Sequence, residues 1–171
     1  MIRGSYSGRM KGAFIQKERK RSRISYYLEK ARKDIKQIKN RELLMAGLGL
    51  YWGEGGKKDS RVRFFNSDPL IIKFIIKWFR EVLDLSDDRY IMRVTVNITH
   101  KKRLREINEY WSKITCIPIK QFRNPTLIRS KNKKSYKNHS QHYGTLCIGI
   151  SKSSDLFYQI MGLITAMSEA A

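Results

Sequence analysis

Residues 43–56 read LLMAGLGLYWGEGG, an apolar run in which glycines interrupt an otherwise helical pattern. Each glycine inside a helix costs about 1 kcal/mol relative to alanine, so a compensating contact is expected. Ala46, Gly49 and Gly53 fall at i, i+3 and i+7 and therefore share one helix face. On this strip of bare backbone, which we call the glycine strip, a second helix can lie very close. The side chains predicted to enter a core from another face are those of Leu44, Leu48 and Tyr51.

The predicted helix ends on an acidic residue, Glu54, followed by Gly55 and Gly56 as predicted C-cap residues. A carboxylate at this end of a helix is disfavoured by about 0.3–1 kcal/mol, because the helix dipole is negative there. A bound cation would reverse the sign of that interaction. The alternative interpretation is a tightly packed core helix on which Glu54 is a solvated cap residue.

The segment Gly47–Gly55, GLGLYWGEG, resembles the LAGLIDADG motif of homing endonucleases. Gly49 takes the place of the inner glycine of that motif, Glu54 that of its final acid and Gly55 that of its last glycine. In that family two such helices pack through their small residues, and each final acid holds a divalent metal at the scissile phosphates. The chain departs from the motif at Trp52, which replaces the first acid, and at Glu54, which replaces the commoner aspartate.

The resemblance implies a particular assembly and chemistry. One motif per chain implies a homodimer on a roughly palindromic duplex DNA site. It also implies Mg²⁺, which prefers oxygen ligands, and metal-dependent phosphodiester hydrolysis. The catalytic residues implied are Glu54, Lys57 and Lys58, the metal ligands are Glu54 with the carbonyls of Gly53 and Gly55, and the dimer interface is Ala46, Gly49 and Gly53.

The charge of the chain favours a polyanionic partner. Its 171 residues carry a formal net charge of +21, with a pI of about 10.2. So large an imbalance opposes compaction unless a polyanion absorbs it, so nucleic acid is the leading partner. A ribosome-associated or membrane-surface protein is the alternative, and the spread of basic residues over the whole chain disfavours the membrane. The predicted nucleic-acid-binding residues are Arg61, Arg63, Arg93, Thr95, Asn97, Arg123, Arg129, Lys131, Lys133 and Lys134.

The clearest predicted strand spans residues 89–99. Its apolar residues alternate with polar ones, so one face is predicted to enter the core and the other to carry hydrogen-bonding groups. Those groups suit a DNA major groove, because arginine pairs with guanine and asparagine with adenine. The inward residues are Met92, Val94, Val96 and Ile98, and the outward ones are Arg93, Thr95, Asn97 and Thr99.

The remaining pattern predicts an α+β fold in two parts. Residues 1–40 are predicted to form a basic N-terminal arm, loose up to about residue 12 and helical from Phe14 to Asn40. Residues 41–171 are predicted to form a LAGLIDADG-type domain, an antiparallel saddle-shaped sheet with helices on one face and one inserted helix. The predicted helices are 69–84, 101–115 (the insertion, ended by Pro118) and 153–167, the further strands are 61–66, 121–130 and 143–150, and 129–142 is a phosphate-binding loop.

The apolar positions of these helices predict which sides are buried. The arm is predicted to lie along DNA phosphates or to be held to the core by its apolar stripe. The stripes are Ile24, Leu28, Ala31, Ile35 and Ile38 in the arm, Leu104, Ile107, Trp111 and Ile114 in the inserted helix, and Leu156, Ile160 and Leu163 in the last helix.

The histidines raise a second nuclease chemistry. His139 and His142 lie in the polar segment NHSQH, as in HNH-type nucleases. That class needs a further histidine within a strand and helix, and His100 is isolated in the sequence, so this alternative is disfavoured. Besides the endonuclease, two functions stay open: a non-catalytic DNA-binding regulator on the same fold, and an RNA-binding intron maturase.

The cysteines and the N-terminal residues predict a reducing compartment. Cys116 and Cys147 have no partner at metal-ligand spacing and are predicted to be reduced, buried thiols. The start of the chain is basic but lacks the apolar run of a signal peptide. We therefore expect a cytoplasmic, nucleoid-associated protein or one of an organellar matrix, and not a secreted one.

Overall fold

The computed structural model describes residues 3–129 and 141–171 and divides into two units, Met1–Lys39 and Asn40–Ala171. The first unit consists of one long helix, α1 (Arg3–Ile35). The prediction that residues up to about 12 are loose is wrong, because the helix begins at Arg3 and continues through the glycines and serines. Its predicted apolar stripe is exposed, with Ile24 57% and Ile35 62% accessible.

The second unit begins with the motif helix and contains four strands. In chain order its elements are α2 (Asn40–Glu54), β1 (Arg63–Asn66), α3 (Pro69–Glu81), β2 (Tyr90–Asn97), α4 (Leu104–Thr115), β3 (Thr126–Ile128), β4 (Thr145–Ile150) and α5 (Ser154–Glu169).

The four strands form one mixed sheet in the order β1-β4-β2-β3. β4 runs antiparallel to both β1 and β2, whereas β3 runs parallel to β2. The α+β class is confirmed, but the prediction of a fully antiparallel sheet is wrong. The reason is the connection through α4, since a crossover helix returns the chain to the sheet in the parallel direction. The prediction that the strand beginning near 121 lies at an edge is confirmed.

One face of the sheet packs against α2, α3, α4 and α5, and the core lies between them. Three of the four residues of β2 that were predicted to point inward, Met92, Val94 and Val96, lie in this core. Ile98 is the exception and is 37% exposed, because the strand ends at Asn97, whose Oδ1 accepts a hydrogen bond from the backbone N–H of Thr99. Core residues include Leu48, Tyr51, Phe64, Ile72, Trp78, Met92, Val94, Val96, Ile107, Trp111, Leu146, Ile148 and Ile160.

The helix ends follow local chemistry in most places. The Asp68 side chain accepts a hydrogen bond from the Leu70 N–H at 2.7 Å and Pro69 occupies the first turn, as predicted for α3. α4 ends at Thr115, before Pro118, and is followed by the C-cap residue Cys116, whose φ is 58°. This residue is exposed, so the prediction that it is buried is wrong, and Cys147 is only partly buried.

The buried side of α5 is also displaced from its predicted stripe. Ile160 is buried as predicted, but the other fully packed positions are Phe157 and Ile164. Leu156 and Leu163 are only partly buried and pack against the margin of the core.

Candidate nucleic-acid interface

The glycines of α2 have two different environments. Gly47 is buried against α3, and a Cβ added to it would overlap the indole ring of Trp78. This glycine therefore permits the close packing of α2 on α3. Leu48 and Tyr51 are buried as predicted, and Leu44 is partly buried.

The glycine strip lies on the opposite side of α2 and is exposed. A Cβ added to Gly49 or Gly53 would meet no atom of the described residues within 4 Å. Ala46 is likewise exposed, and two large apolar side chains flank the strip, Met45 at 43% and Trp52 at 45% accessibility. The strip is therefore available to a helix from outside the described part of the chain.

The end of α2 joins the sheet directly. The Gly55 N–H donates to the Tyr51 carbonyl at 2.8 Å, and the Gly56 N–H donates to the Arg63 carbonyl at 2.7 Å. Gly55 also pairs with Phe64 as an isolated antiparallel bridge. A Cβ on Gly55 would collide with the Tyr51 carbonyl oxygen, so this position requires glycine.

Neither Gly55 nor Gly56 is in the left-handed conformation, because the only glycine with positive φ among the described residues is Gly144. Gly55 takes the predicted place after the last residue of α2, with its N–H bonded to the last turn, but without the left-handed conformation typical of a glycine C-cap. The Tyr51 hydroxyl donates to the Gly56 carbonyl at 3.1 Å. Burial raises the pKa of the Tyr51 phenol above its ordinary value.

The predicted catalytic residues surround this helix end. Glu54, Lys57 and Lys58 are all exposed. Lys57 Nζ donates to the Gly55 carbonyl at 3.2 Å, so one predicted metal ligand already has a cationic partner. Within residues 3–129 and 141–171 no three His, Cys, Asp or Glu side chains converge as a metal site. Glu54 therefore brings one carboxylate per chain.

The face of the sheet away from the helices, which we call the open face, carries three of the ten predicted DNA-binding residues, Arg63, Arg93 and Thr95. Its strands pair so that β4 lies in the middle with small residues, and β1 and β2 carry longer ones on either side. A groove of about 330 Å³ follows this surface. The rows across it are Arg63, Gly149 and Ile91, then Phe65, Cys147 and Arg93, then Thr145, Thr95 and Thr126.

Two arginines of the open face have different surroundings. Arg93 is exposed, whereas Arg63 is partly buried and its Nη2 lies 2.5 Å from Asp59 Oδ2. Asp59 belongs to a tight turn in which its φ is 67°. Both arginines lower the pKa of the Cys147 thiol between them, but burial is the larger effect and the pKa of this thiol is raised.

The other predicted DNA-binding residues are dispersed around the sheet. Arg61 lines the groove, and Arg129 is exposed just beyond β3. Arg123 lies beside β2, because its backbone N–H donates to the Met92 carbonyl at 2.8 Å. The side-chain amide oxygen of Asn97 accepts a hydrogen bond from the Thr99 N–H in the turn after β2. The side chain predicted to pair with adenine is therefore already engaged within the chain. Lys131, Lys133, Lys134 and His139 lie outside the described residues.

The structure also brings into contact residues that lie far apart in the sequence. His100 is 2% exposed, and its ring centroid lies 5.5 Å from that of His142. Arg103 binds Glu106 through two hydrogen bonds of 3.0 and 2.7 Å and lies 5.5 Å from the centroid of the Tyr143 ring. This cluster fixes the chain where it enters β4. No motif predicts it, because its members come from opposite ends of the α4–β4 segment.

The second unit is thus an α+β domain with a four-stranded mixed sheet, one face covered by helices and the other open and rich in arginine. Among the described residues, no helix is both long and apolar enough to cross a membrane. Comparison of the chain with family models, with curated proteins and with solved structures found no match.

Proposed function

We propose that this protein is a homodimeric, sequence-specific DNA-binding protein that cleaves duplex DNA with a divalent metal, as the resemblance of GLGLYWGEG to the LAGLIDADG motif implies. The observation that carries the proposal is the exposed glycine strip, which ends beside the exposed carboxylate of Glu54. The order of elements from α2 to α5 shares with this family a motif helix followed by alternating strands and helices, but it has a single strand between α2 and α3 and the inserted helix α4.

Two copies can pair through the glycine strip. Without side chains at Gly49 and Gly53 the two helix backbones can approach closely, and Met45 and Trp52, seven residues apart, add exposed apolar area along one side of the strip. Contact of identical patches generates a twofold axis. If the two helices pair in the same direction, as the resemblance implies, the two Glu54 carboxylates lie close together, because Glu54 is the last residue of each helix.

The open face supports binding of the duplex on either side of that axis. Arginine side chains neutralise phosphates, and arginine and threonine can also pair with base edges in the major groove. The groove is concave along β4 because its residues there are small. A net charge of +21 favours this class of partner.

The residues at the helix end fit a magnesium site shared by two chains. Mg²⁺ is commonly held by one or two carboxylates, water and substrate phosphate oxygens. Each Glu54 would supply one carboxylate and the Gly53 carbonyl a further oxygen. When bound, the metal would activate water and stabilise the leaving oxygen of a phosphodiester. Lys57 would then exchange the Gly55 carbonyl for a phosphate oxygen, because a charged acceptor binds an ammonium group more strongly.

One observation favours the non-catalytic regulator as second candidate. The Gly55 carbonyl already accepts from Lys57 Nζ at 3.2 Å, so an internal cation occupies part of the position that a metal would take. In a regulator, the Lys57 ammonium group bound to the Gly55 carbonyl would stabilise the negative end of α2, and the protein would bind DNA without cleaving it.

The test is binding and nicking of a randomised duplex library with Mg²⁺. We expect the wild-type chain to shift and nick a subset of the duplexes, and Glu54→Gln to keep binding while it loses cleavage. Glu109→Gln is the matched control, since Glu109 lies on α4 in an exposed pair with Arg105 and should leave cleavage unchanged.

The other outcomes separate the alternatives. Binding without nicking would remove the nuclease and support the regulator. Preference for structured RNA over duplex would support an intron maturase. Nicking by Glu54→Gln at the wild-type rate would remove Glu54 from the mechanism.

A further inference from the structure

Phe65 is an aromatic residue of the open face to which sequence analysis assigned no function. Its neighbour Phe64 is fully buried, whereas Phe65 is 38% exposed. Phe65 lines the same groove as Arg93. A Cβ added to Gly56 would lie 3.8 Å from Phe65 Cε2, so the ring lies close to the segment that leaves the motif helix.

The pairing of the strands places Phe65 opposite an arginine. Phe65 is paired with Cys147, and Cys147 is paired on its other side with Arg93. In the next row Gly149 takes the central place. In the Cys147 row the short central side chain leaves space between an apolar side chain on β1 and a cationic one on β2. A ligand that fits this cross-section needs an apolar group beside a hydrogen-bond acceptor.

The edges of base pairs in duplex DNA offer that combination. The faces of the bases are stacked and inaccessible, so the apolar group that the major groove presents is the C5-methyl of thymine. Guanine presents two acceptors there, which a guanidinium can bind together. The exposed ring of Phe65 and the exposed guanidinium of Arg93 therefore match a thymine next to a guanine.

We infer that Phe65 contacts the C5-methyl group of a thymine in the DNA site, beside a base bound by Arg93. This inference rests on the proposed function, because it requires that duplex DNA occupies the open face. Uracil lacks the methyl group, so the same contact disfavours RNA. Phe65 thereby becomes a determinant of sequence specificity near the motif helix.

The experiment removes the methyl group from the DNA and the ring from the protein separately. A preferred duplex is first selected by binding from a random library, and each thymine is then replaced in turn by deoxyuridine, which keeps base pairing. Dissociation constants are measured for the wild-type chain, for Phe65→Ala and for Leu70→Ala. Leu70 is the matched control, because it is 73% exposed on α3, outside the open face.

We expect one thymine per half-site whose replacement weakens wild-type binding about fourfold, the effect of burying roughly one methyl group. Leu70→Ala should show the same fourfold loss of affinity as the wild-type chain. Phe65→Ala should bind the thymine duplex and the deoxyuridine duplex with equal affinity. If Phe65→Ala does not fold, as judged by circular dichroism, Phe65→Gln replaces it because its side chain is larger and strongly polar.

Two results would overturn the inference. The first is salt-dependent duplex binding in which no thymine replacement changes the affinity, or in which Phe65→Ala keeps the wild-type sensitivity to the replacement. Either outcome would contradict the thymine contact and leave the proposed DNA binding intact. Absence of duplex binding at any salt concentration would remove the thymine contact and the proposed function together.

Discussion

Residues of one type perform different functions within α2, and their contacts distinguish them. Gly47 is needed inside the protein, because the indole of Trp78 occupies the space that its side chain would take. A Cβ at Gly49 or Gly53 would meet no described atom within 4 Å, so these two glycines are not needed for the packing of one chain. Their cost in helix stability is not offset by packing among the described residues.

The first prediction concerns Gly47. We expect Gly47→Ala to lower the free energy of unfolding by about 1–3 kcal/mol, because an added methyl group would overlap the Trp78 ring and force repacking. Urea denaturation followed by circular dichroism measures this. Gly162→Ala on α5 is the control, since a Cβ there meets nothing within 4 Å, and a gain of up to about 1 kcal/mol is expected from helix propensity. Equal stability of the two variants would contradict the packing described for Gly47.

At the scale of the element, α2 has one side in the core and the other in solvent. The same fifteen residues support the fold through Leu48 and Tyr51 and present the glycine strip outward. The two functions can therefore be separated by mutation, because a side chain added to the strip enters open space within one chain.

The second prediction concerns dimerisation. We expect Gly49→Leu to keep or raise the stability of the monomer, since leucine favours helix more than glycine by about 1 kcal/mol. The same side chain should abolish the close approach of two helices and convert a dimer to monomers. Light scattering after gel filtration, with and without DNA, measures this. Lys73→Leu adds the same side chain to an exposed position of α3 and should remain dimeric. A dimer formed by Gly49→Leu would show that the strip is not the interface.

At the scale of the whole molecule, the main electrostatic feature is the formal net charge of +21. Exposed basic side chains lie along α1, and Arg93 is exposed on the open face of the second unit. Such a surface binds polyanions by releasing their condensed counterions, which makes affinity depend on salt.

The third prediction is this salt dependence. Plotted against log salt concentration, the log of the association constant for duplex DNA should fall with a slope of about −0.9 for each phosphate neutralised. Arg93→Ala should make the slope less steep by about one phosphate contact if it binds the backbone. If Arg93 pairs with a base, the slope should be retained while discrimination against altered duplexes falls. A slope near zero would contradict the electrostatic basis of the proposal.

Local patterns in the sequence determined most of the secondary structure. The proline after Asp68, the alternation along β2 and the apolar stripe of α4 each predict an element that the structure contains. These signals work because capping and the burial of one face depend on neighbours only a few residues away. The same alternation placed Ile98 inside, since it does not record where a turn interrupts the period, and the burial of Cys116 was predicted from its residue type without regard to its place at the end of α4.

By itself, the sequence determined a basic α+β protein with a glycine-rich motif helix. Only the tertiary structure decided that Gly47 is internal and that Gly49 and Gly53 are open, since helical spacing defines faces but not what covers them. It alone also placed Phe65, Cys147 and Arg93 in one row, because strand register depends on pairing between distant segments. The parallel pairing of β3 was likewise settled by the path of the chain through α4, for which no local pattern exists.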